Sequence, residues 1–204
     1  MKKPLHKVGI IGGSFDPVHN GHLMIAENAL EQFGLEKVLF LPNGNPPHKD
    51  KGAMTPAAIR CQMVEMAIEG NPGFSVSYYE AEAEKTCYSW ETLQSFCQAH
   101  PHTEFYIIMG EDSLFHFSEW MHPERIAAMC VILVAVREEG QFGKLSDQIE
   151  KMEGLYHADI RTILVPEYNV SSRMIRERVS KGQSIRYLVP DPVRLFIGEH
   201  HLYE

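Results

Sequence analysis

The stretch Gly12-Gly13-Ser14-Phe15-Asp16-Pro17-Val18-His19-Asn20-Gly21-His22 constrains this chain most, because it follows an apolar run, Val8 to Ile11, and leads directly into an amphipathic one. Strand, glycine turn, helix is an order in which phosphates sit. Glycines let backbone N–H groups approach an anion closely, and the helix that follows presents its positive dipole end to the same place. Two imidazoles three residues apart, His19 and His22, stand at that end, and Gly21 between them reads as space for a phosphate against the first helical turn. A dinucleotide fingerprint would need G-x-G-x-x-G and an acidic residue about 20 residues further on. Here the glycines are adjacent and the third is missing. A P-loop is excluded as well, since no Gly-Lys-Ser/Thr closes the turn. What remains is H-x-G-H, in which both side chains can donate hydrogen bonds to phosphate oxygens.

With 204 residues, 44% of them hydrophobic and 23% charged, the chain can bury one sizeable core. The expectation is a single domain over residues 1–204. Only four clearly apolar residues follow Met1-Lys2-Lys3-Pro4, and no window approaches the roughly 18 apolar residues of a membrane span. A soluble, cytoplasmic protein is expected, with no membrane partner. Cys61, Cys87, Cys97 and Cys130 lack C-x-x-C spacing and read as buried or incidental thiols. A net charge of −8 argues against nucleic acid as a partner. A small phosphate substrate is still allowed, and Arg173, Arg176, Arg178 and Lys181 form a basic cluster in the otherwise acidic chain. His100, His102, His157, His200 and His201 show no ligand spacing, and no protein metal site is expected.

Apolar runs alternate with helical patterns, the signature of a parallel sheet covered on both faces. Strands are predicted at Val8–Ile11, Lys37–Leu41, Phe74–Val76, Phe105–Met109, Val131–Val136 and Ile160–Val165. Helices are predicted to begin near Gly21, Thr55, Ser89, Pro123, Gly143 and Ser171. In the second of these Thr55 reads as a cap, Pro56 suits the first turn, and Ile59, Met63, Met66 and Ala67 share one face. Residues 43–52, rich in Gly and Pro, read as a mobile surface loop. The predicted fold is α/β: a Rossmann-like, doubly wound parallel sheet with flanking helices and a small C-terminal helical region.

In such sheets ligands lie beyond the carboxyl ends of the strands, and each candidate motif follows one. His19 and His22 follow the first strand, His48 and Lys49 the second, Asp112 the fourth, Arg137 the fifth, and Ser171 to Arg176 the sixth. In Val170-Ser171-Ser172-Arg173-Met174-Ile175-Arg176 a serine stands at the capping position and an arginine one turn later. Free N–H groups, hydroxyls and a guanidinium can then converge on one oxyanion, with Met174, Ile175 and Val179 packed inside.

These residues resemble the nucleotidyltransferase superfamily that carries G-x-F-x-P-x-H-x-G-H, and within it most closely the bacterial nicotinate-nucleotide adenylyltransferase family. The resemblance continues along the chain. Val170 to Arg176 is similar to I-S-S-T-x-I-R, which implies a grip on the ATP β and γ phosphates by Ser171, Ser172 and Arg176; Arg173 departs from the usual Thr and loses its hydroxyl. Pro46-Pro47-His48-Lys49 resembles a P-P-H-K loop, and Arg60 and Met63 an R-x-x-M helix. Thr86 to Leu93 resembles T-Y-T-x-D-T-L with Glu91 in place of Asp, and Gly110 to Leu114 followed by Trp120 resembles G-x-D-S-L with its downstream W. Arg137 resembles a strand-end R-P-G, although Glu138 and Glu139 follow it. The segment from Tyr187 to Tyr203 resembles the family's C-terminal helix and is expected only to pack.

What the resemblance implies is attack by the 5′-phosphate of nicotinate mononucleotide on the α-phosphorus of ATP, giving nicotinate adenine dinucleotide and pyrophosphate, a step of NAD biosynthesis. Catalytic roles then fall to His19, His22, Arg176 and Lys49. ATP is held by Gly12, Gly13, Ser14, Phe15, His19, His22, Asp112, Ser171, Ser172 and Arg176. Nicotinate mononucleotide meets Ser14, His48, Lys49, Thr86, Tyr88, Trp120 and Arg137. Mg²⁺ is carried with ATP, Asp16 has at most a supporting part, and a homo-oligomer is left open. Three alternatives stand beside this reading. A class I aminoacyl-tRNA synthetase core would need a K-M-S-K-S loop that is missing. A phosphopantetheine adenylyltransferase or a cytidylyltransferase would share the motif with another acceptor. A nucleotide-sensing module without catalysis would account for Arg173.

Overall fold

Six apolar runs form six strands, and helical segments alternate with them. The computed structural model describes residues 6–44, 54–137 and 142–204. In chain order the elements are β1 (His6–Gly13), α1 (Asn20–Phe33), β2 (Lys37–Pro42), α2 (Ala57–Ile68), β3 (Phe74–Val76), α3 (Ser89–Ala99) and β4 (Thr103–Gly110). There follow α4 (Glu111–Phe115), α5 (Pro123–Met129), β5 (Cys130–Arg137), α6 (Phe142–Tyr156), β6 (Asp159–Val165), α7 (Ser172–Ser180) and α8 (Asp191–Glu199).

The strands lie in one sheet in the order β3-β2-β1-β4-β5-β6. Ile10 stands opposite Ile107 and Ile107 opposite Ile132, and these pairings run parallel. Arg137, the last residue of β5, is in parallel register with Val165. Sequence order reverses direction after β1, so the sheet is wound both ways from the β1–β4 pair. This is the expected Rossmann-like, doubly wound fold, and each predicted strand lies within an observed one.

The chain divides into two compact units. The first comprises Met1–Gly12, Ile25–Leu39 and Tyr88–Glu167, and the second Gly13–Met24, Phe40–Cys87 and Tyr168–Glu204. In the first, β4 and β5 are apolar on both faces, as a parallel strand covered on both sides must be, and Phe105 to Met109 and Val131 to Val136 are all buried. Gly9 is needed there, since a Cβ would come within 2.9 Å of Ile108 and 3.0 Å of Leu35. In the second unit the Phe15, Phe40 and Phe74 rings form a row with centroids 5.7 and 5.2 Å apart.

Two local expectations are corrected. Thr55 does not cap α2: the helix starts after Pro56 with no side-chain cap, and the Thr55 carbonyl accepts from Arg60 Nε at 2.8 Å. The buried face of α2 is Arg60, Cys61, Met63, Val64 and Ile68, shifted from the expected Ile59, Met63, Met66 and Ala67. A buried arginine re-aims the helix, because its guanidinium is satisfied internally. In addition, α4 and a 3-10 turn over Phe117–Glu119 interrupt a stretch that carried no helical period. Cys61 and Cys130 are buried, Cys87 and Cys97 half-buried, and all four are free thiols. No described helix is long and apolar enough to cross a membrane.

Candidate active site

The turn between β1 and α1 is held by its carbonyls. Gly13 O accepts from Asn43 N at 3.0 Å, Ser14 O from Arg60 Nη1 at 2.5 Å, Asp16 O from Arg176 Nη1 at 2.7 Å, and Pro17 O from Ser172 Oγ at 2.8 Å. With these oxygens engaged inward, the turn is pinned in one conformation. The left-handed residue in it is Phe15, with φ 48°, whereas Gly12 and Gly13 have no positive φ. The strain falls on Phe15 because its ring is wholly buried against Phe40 and edge-on to His22, 5.0 Å away. Among the described residues a Cβ at Gly12 would meet no atom within 4 Å, and one at Gly13 would meet only the Phe15 ring at 3.5 Å.

His19 and His22 lie at the start of α1 with their rings stacked, centroids 3.6 Å apart and 19° from parallel. The His19 backbone N–H donates to His22 Nδ1 at 3.2 Å. That bond fixes the His22 tautomer, leaving Nε2–H as the donor. Burial lowers the His19 pKa to about 4, and burial followed by the neighbouring His19 holds His22 well below its ordinary value. Both rings are thus neutral near pH 7. His19 Nδ1 is buried with no partner among the described residues. The space at Gly21 is filled differently from the expectation. A Cβ there would lie 3.1 Å from His19 Nδ1 and 3.2 Å from its Cε1, so the missing side chain makes room for the His19 ring itself.

The basic motif joins the same turn. Ser171 caps α7 by accepting from Met174 N at 3.2 Å, leaving the Ser172 and Arg173 N–H groups without intrahelical acceptors. Ile175 is buried, and the Ser172 and Arg176 side chains reach back to Pro17 and Asp16. Asn20 extends the link: its N–H donates to Leu188 O at 3.0 Å and its Nδ2 to Tyr187 O at 2.8 Å. Arg173 is directed elsewhere, paired with Glu177 at 2.8 Å and largely exposed. It does not restore the lost Thr hydroxyl.

Two residues carry more of the site than the motif reading gave them. Arg60, fully buried, donates to Ser14, Asn43 and Thr55, and burial lowers its pKa while the Asp16 charge opposes that shift. Asp16, only 3% exposed, accepts from Tyr203 Oη at 2.7 Å and from Thr55 N at 3.4 Å. Tyr203 was expected only to pack, and its bond to Asp16 corrects that reading. A contact spanning 187 residues leaves no local pattern by which it could have been found.

The remaining candidates fall in both units. Thr86 is half-buried in the second unit, while Tyr88, Asp112, Trp120 and Arg137 belong to the first. Tyr88 precedes α3, Asp112 is exposed in the first turn of α4, and Trp120 is half-buried with its ring 5.5 Å from Phe117. His48 and Lys49, with residues 45–52 of the loop expected to carry them, lie outside the described residues.

A family model described as cytidylyltransferase-like matches residues 10–178, the span that holds both the H-x-G-H turn and the Ser171–Arg176 motif. A relative from Lachnoclostridium phytofermentans, described as a probable nicotinate-nucleotide adenylyltransferase, is 42% identical over 98% of this chain and 100% of its own length. One of the same description from Salinibacter ruber is 39% identical, covering 96% of this chain and 97% of its own. The solved nicotinic acid mononucleotide adenylyltransferase of Plasmodium falciparum, in complex with NaAD, shares the fold with a TM-score of 0.79 at 16% identity, each chain covered to 97%. The chain belongs to the cytidylyltransferase-like family, on the branch of the nicotinate-nucleotide adenylyltransferases.

Proposed function

We propose that this chain transfers the adenylyl group of ATP to nicotinate mononucleotide, using the stacked histidines and the start of α7 as one grip on the triphosphate. The observation that carries this reading is the tie between two motifs far apart in sequence: Ser172 and Arg176 bond the carbonyls of Pro17 and Asp16, directly before His19. One turn of backbone then presents two imidazoles, two helix N-termini and a guanidinium to one run of phosphates.

In the reaction a 5′-phosphate oxygen of the mononucleotide forms a bond to the α-phosphorus while the bond from that phosphorus to the α,β-bridging oxygen breaks. The electron pair leaves with pyrophosphate. A phosphate is already a competent nucleophile, so no general base is needed, and the obstacle is repulsion between two anions. Positioning and dispersal of developing charge are what the protein must supply. His22, with Nδ1 occupied by the backbone, offers Nε2–H to the α-phosphate. His19 serves the phosphate chain, and Ser171, Ser172 and Arg176 the departing pyrophosphate. Arg176 spends one N–H on Asp16 O and keeps the rest of its fork for phosphate oxygens. Glycines 12 and 13 let the backbone approach.

Asp112 is assigned to the adenosine ribose, and Thr86, Tyr88, Trp120 and Arg137 to the nicotinate mononucleotide, with His48 and Lys49 on its phosphate. Mg²⁺ arrives as part of the ATP substrate. Among the described residues no group of His, Cys, Asp and Glu is arranged to hold a metal, and the neutral N–H donors of the site suit phosphate oxygens instead. The cytoplasm is the proposed compartment. The test is a coupled assay of pyrophosphate release with ATP and Mg²⁺, supplying nicotinate or nicotinamide mononucleotide at equal concentration. Turnover with the acid well above the amide supports the reading; turnover with neither overturns it.

A further inference from the structure

We infer that Tyr203 is a positioning residue for adenylyl transfer, holding the phosphate-binding turn in register by clamping the buried Asp16 carboxylate from the far end of α8. The inference rests on the proposed function for the meaning of the turn, but its geometry stands alone. Every carbonyl of the turn named above is tied by a donor from another segment, and Asp16 is its only acidic side chain. One carboxylate oxygen takes the Tyr203 hydroxyl at 2.7 Å and the other the Thr55 N–H at 3.4 Å. The carbonyl of the same residue takes Arg176, so a shift of Asp16 moves the arginine assigned to pyrophosphate.

The tail beyond α8 is built to deliver this phenol. Val193, Phe196 and Ile197 bury the inner face of α8, and Leu202 N closes back onto Ile197 O at 3.0 Å. Two non-glycine residues then adopt left-handed backbone, His201 at φ 50° and Tyr203 at φ 68°. Each such residue carries a cost that surrounding contacts must offset, and these two turn the chain back toward Asp16. The hydroxyl stays protonated, because burial pushes its pKa far above the ordinary phenol value, and it therefore remains a donor at any working pH. A pure packing role would need the ring but not this oxygen.

The experiment removes the oxygen and keeps the ring. Tyr203→Phe is compared with wild type for kcat, for KM of ATP and of the mononucleotide, for melting temperature, and for the Kd of a non-hydrolysable ATP analogue. The expected result is about a tenfold loss in kcat/KM for ATP and a matching rise in the analogue Kd, with KM for the mononucleotide changed less than about twofold. In an Asp16→Ala background the same substitution is expected to have a much smaller effect, since the hydroxyl has lost the carboxylate and keeps only the Thr55 side chain. Wild-type kcat/KM and wild-type analogue affinity in folded Tyr203→Phe would overturn the inference, even if the melting temperature fell. So would equal losses in both backgrounds. Absence of adenylyl transfer by the wild-type protein would instead count against the proposed function, while analogue affinity still decides the role of Tyr203.

Discussion

His19 and His22 face each other at 3.6 Å, a distance at which two imidazolium rings would repel, and their burial keeps both uncharged near neutrality. In the proposed reaction they act on phosphates as aimed N–H dipoles, an arrangement that needs no reorganisation as charge develops. The same burial makes stability depend on pH with a definite sign. His19 titrates near 4 when folded and near 6.5 when unfolded, so between these values the unfolded chain binds more protons. Its contribution is full above about pH 6.5 and is lost as pH falls toward 4, by an amount on the order of 3 kcal/mol. Urea unfolding at pH 7.5, 5.5 and 4.5 should show this decline, with a shallower one in His19→Gln; identical slopes in the two proteins would contradict it. Arg173 is a contrasting case at this scale. Its exposed pairing with Glu177 is of the solvent-screened kind that adds little to stability, and none of its described contacts gives it a part in the grip.

At the level of elements, the strands were legible because each is an apolar run between turn residues, and β3 was placed to the residue. Shorter pieces were not. The five residues of α4 are too few to display a period, and the face of α2 was misjudged because an arginine in its core has no signature in hydrophobic spacing. Arg60 is satisfied by Ser14, Asn43 and Thr55, a set of oxygens that only the folded chain assembles. The end of β2 illustrates how tight that assembly is. At Gly44 an added Cβ would overlap the backbone carbonyl oxygen of Glu80, while its own carbonyl lies 3.4 Å from Arg60 Nη2. Gly44→Ala should therefore cost roughly 2–4 kcal/mol, as backbone shifts and Arg60 loses acceptors. A urea midpoint within about 0.2 M of wild type, at m of about 1–3 kcal/mol per M, would show that the strand end yields freely.

Across the whole molecule, the proposed phosphate site draws on segments that sequence order keeps apart: the turn at 12–22, the start of α2, the start of α7 and the tail at Tyr203. The first and third of these were readable, since strand–turn–helix order and a serine cap followed by arginine are local patterns. Their union was not, because it is made by side chain to carbonyl bonds such as Ser172 to Pro17 and Arg176 to Asp16. Nor was the role of Asp16, expected to be marginal and found buried as the anchor for Tyr203. The pyridine-side residues Thr86, Tyr88 and Trp120 were named from family resemblance alone, and their part remains a proposal. The central claim is that a neutral, backbone-oriented His22 stabilises charge on the α-phosphate during transfer. Its most direct measurement is kcat for pyrophosphate release by folded His22→Ala, with ATP, Mg²⁺ and nicotinate mononucleotide all saturating. A fall of about 10²–10³-fold is expected with KM for ATP changed only a few-fold, the mark of a donor that acts mainly at the transition state. A kcat within a few-fold of wild type would contradict it.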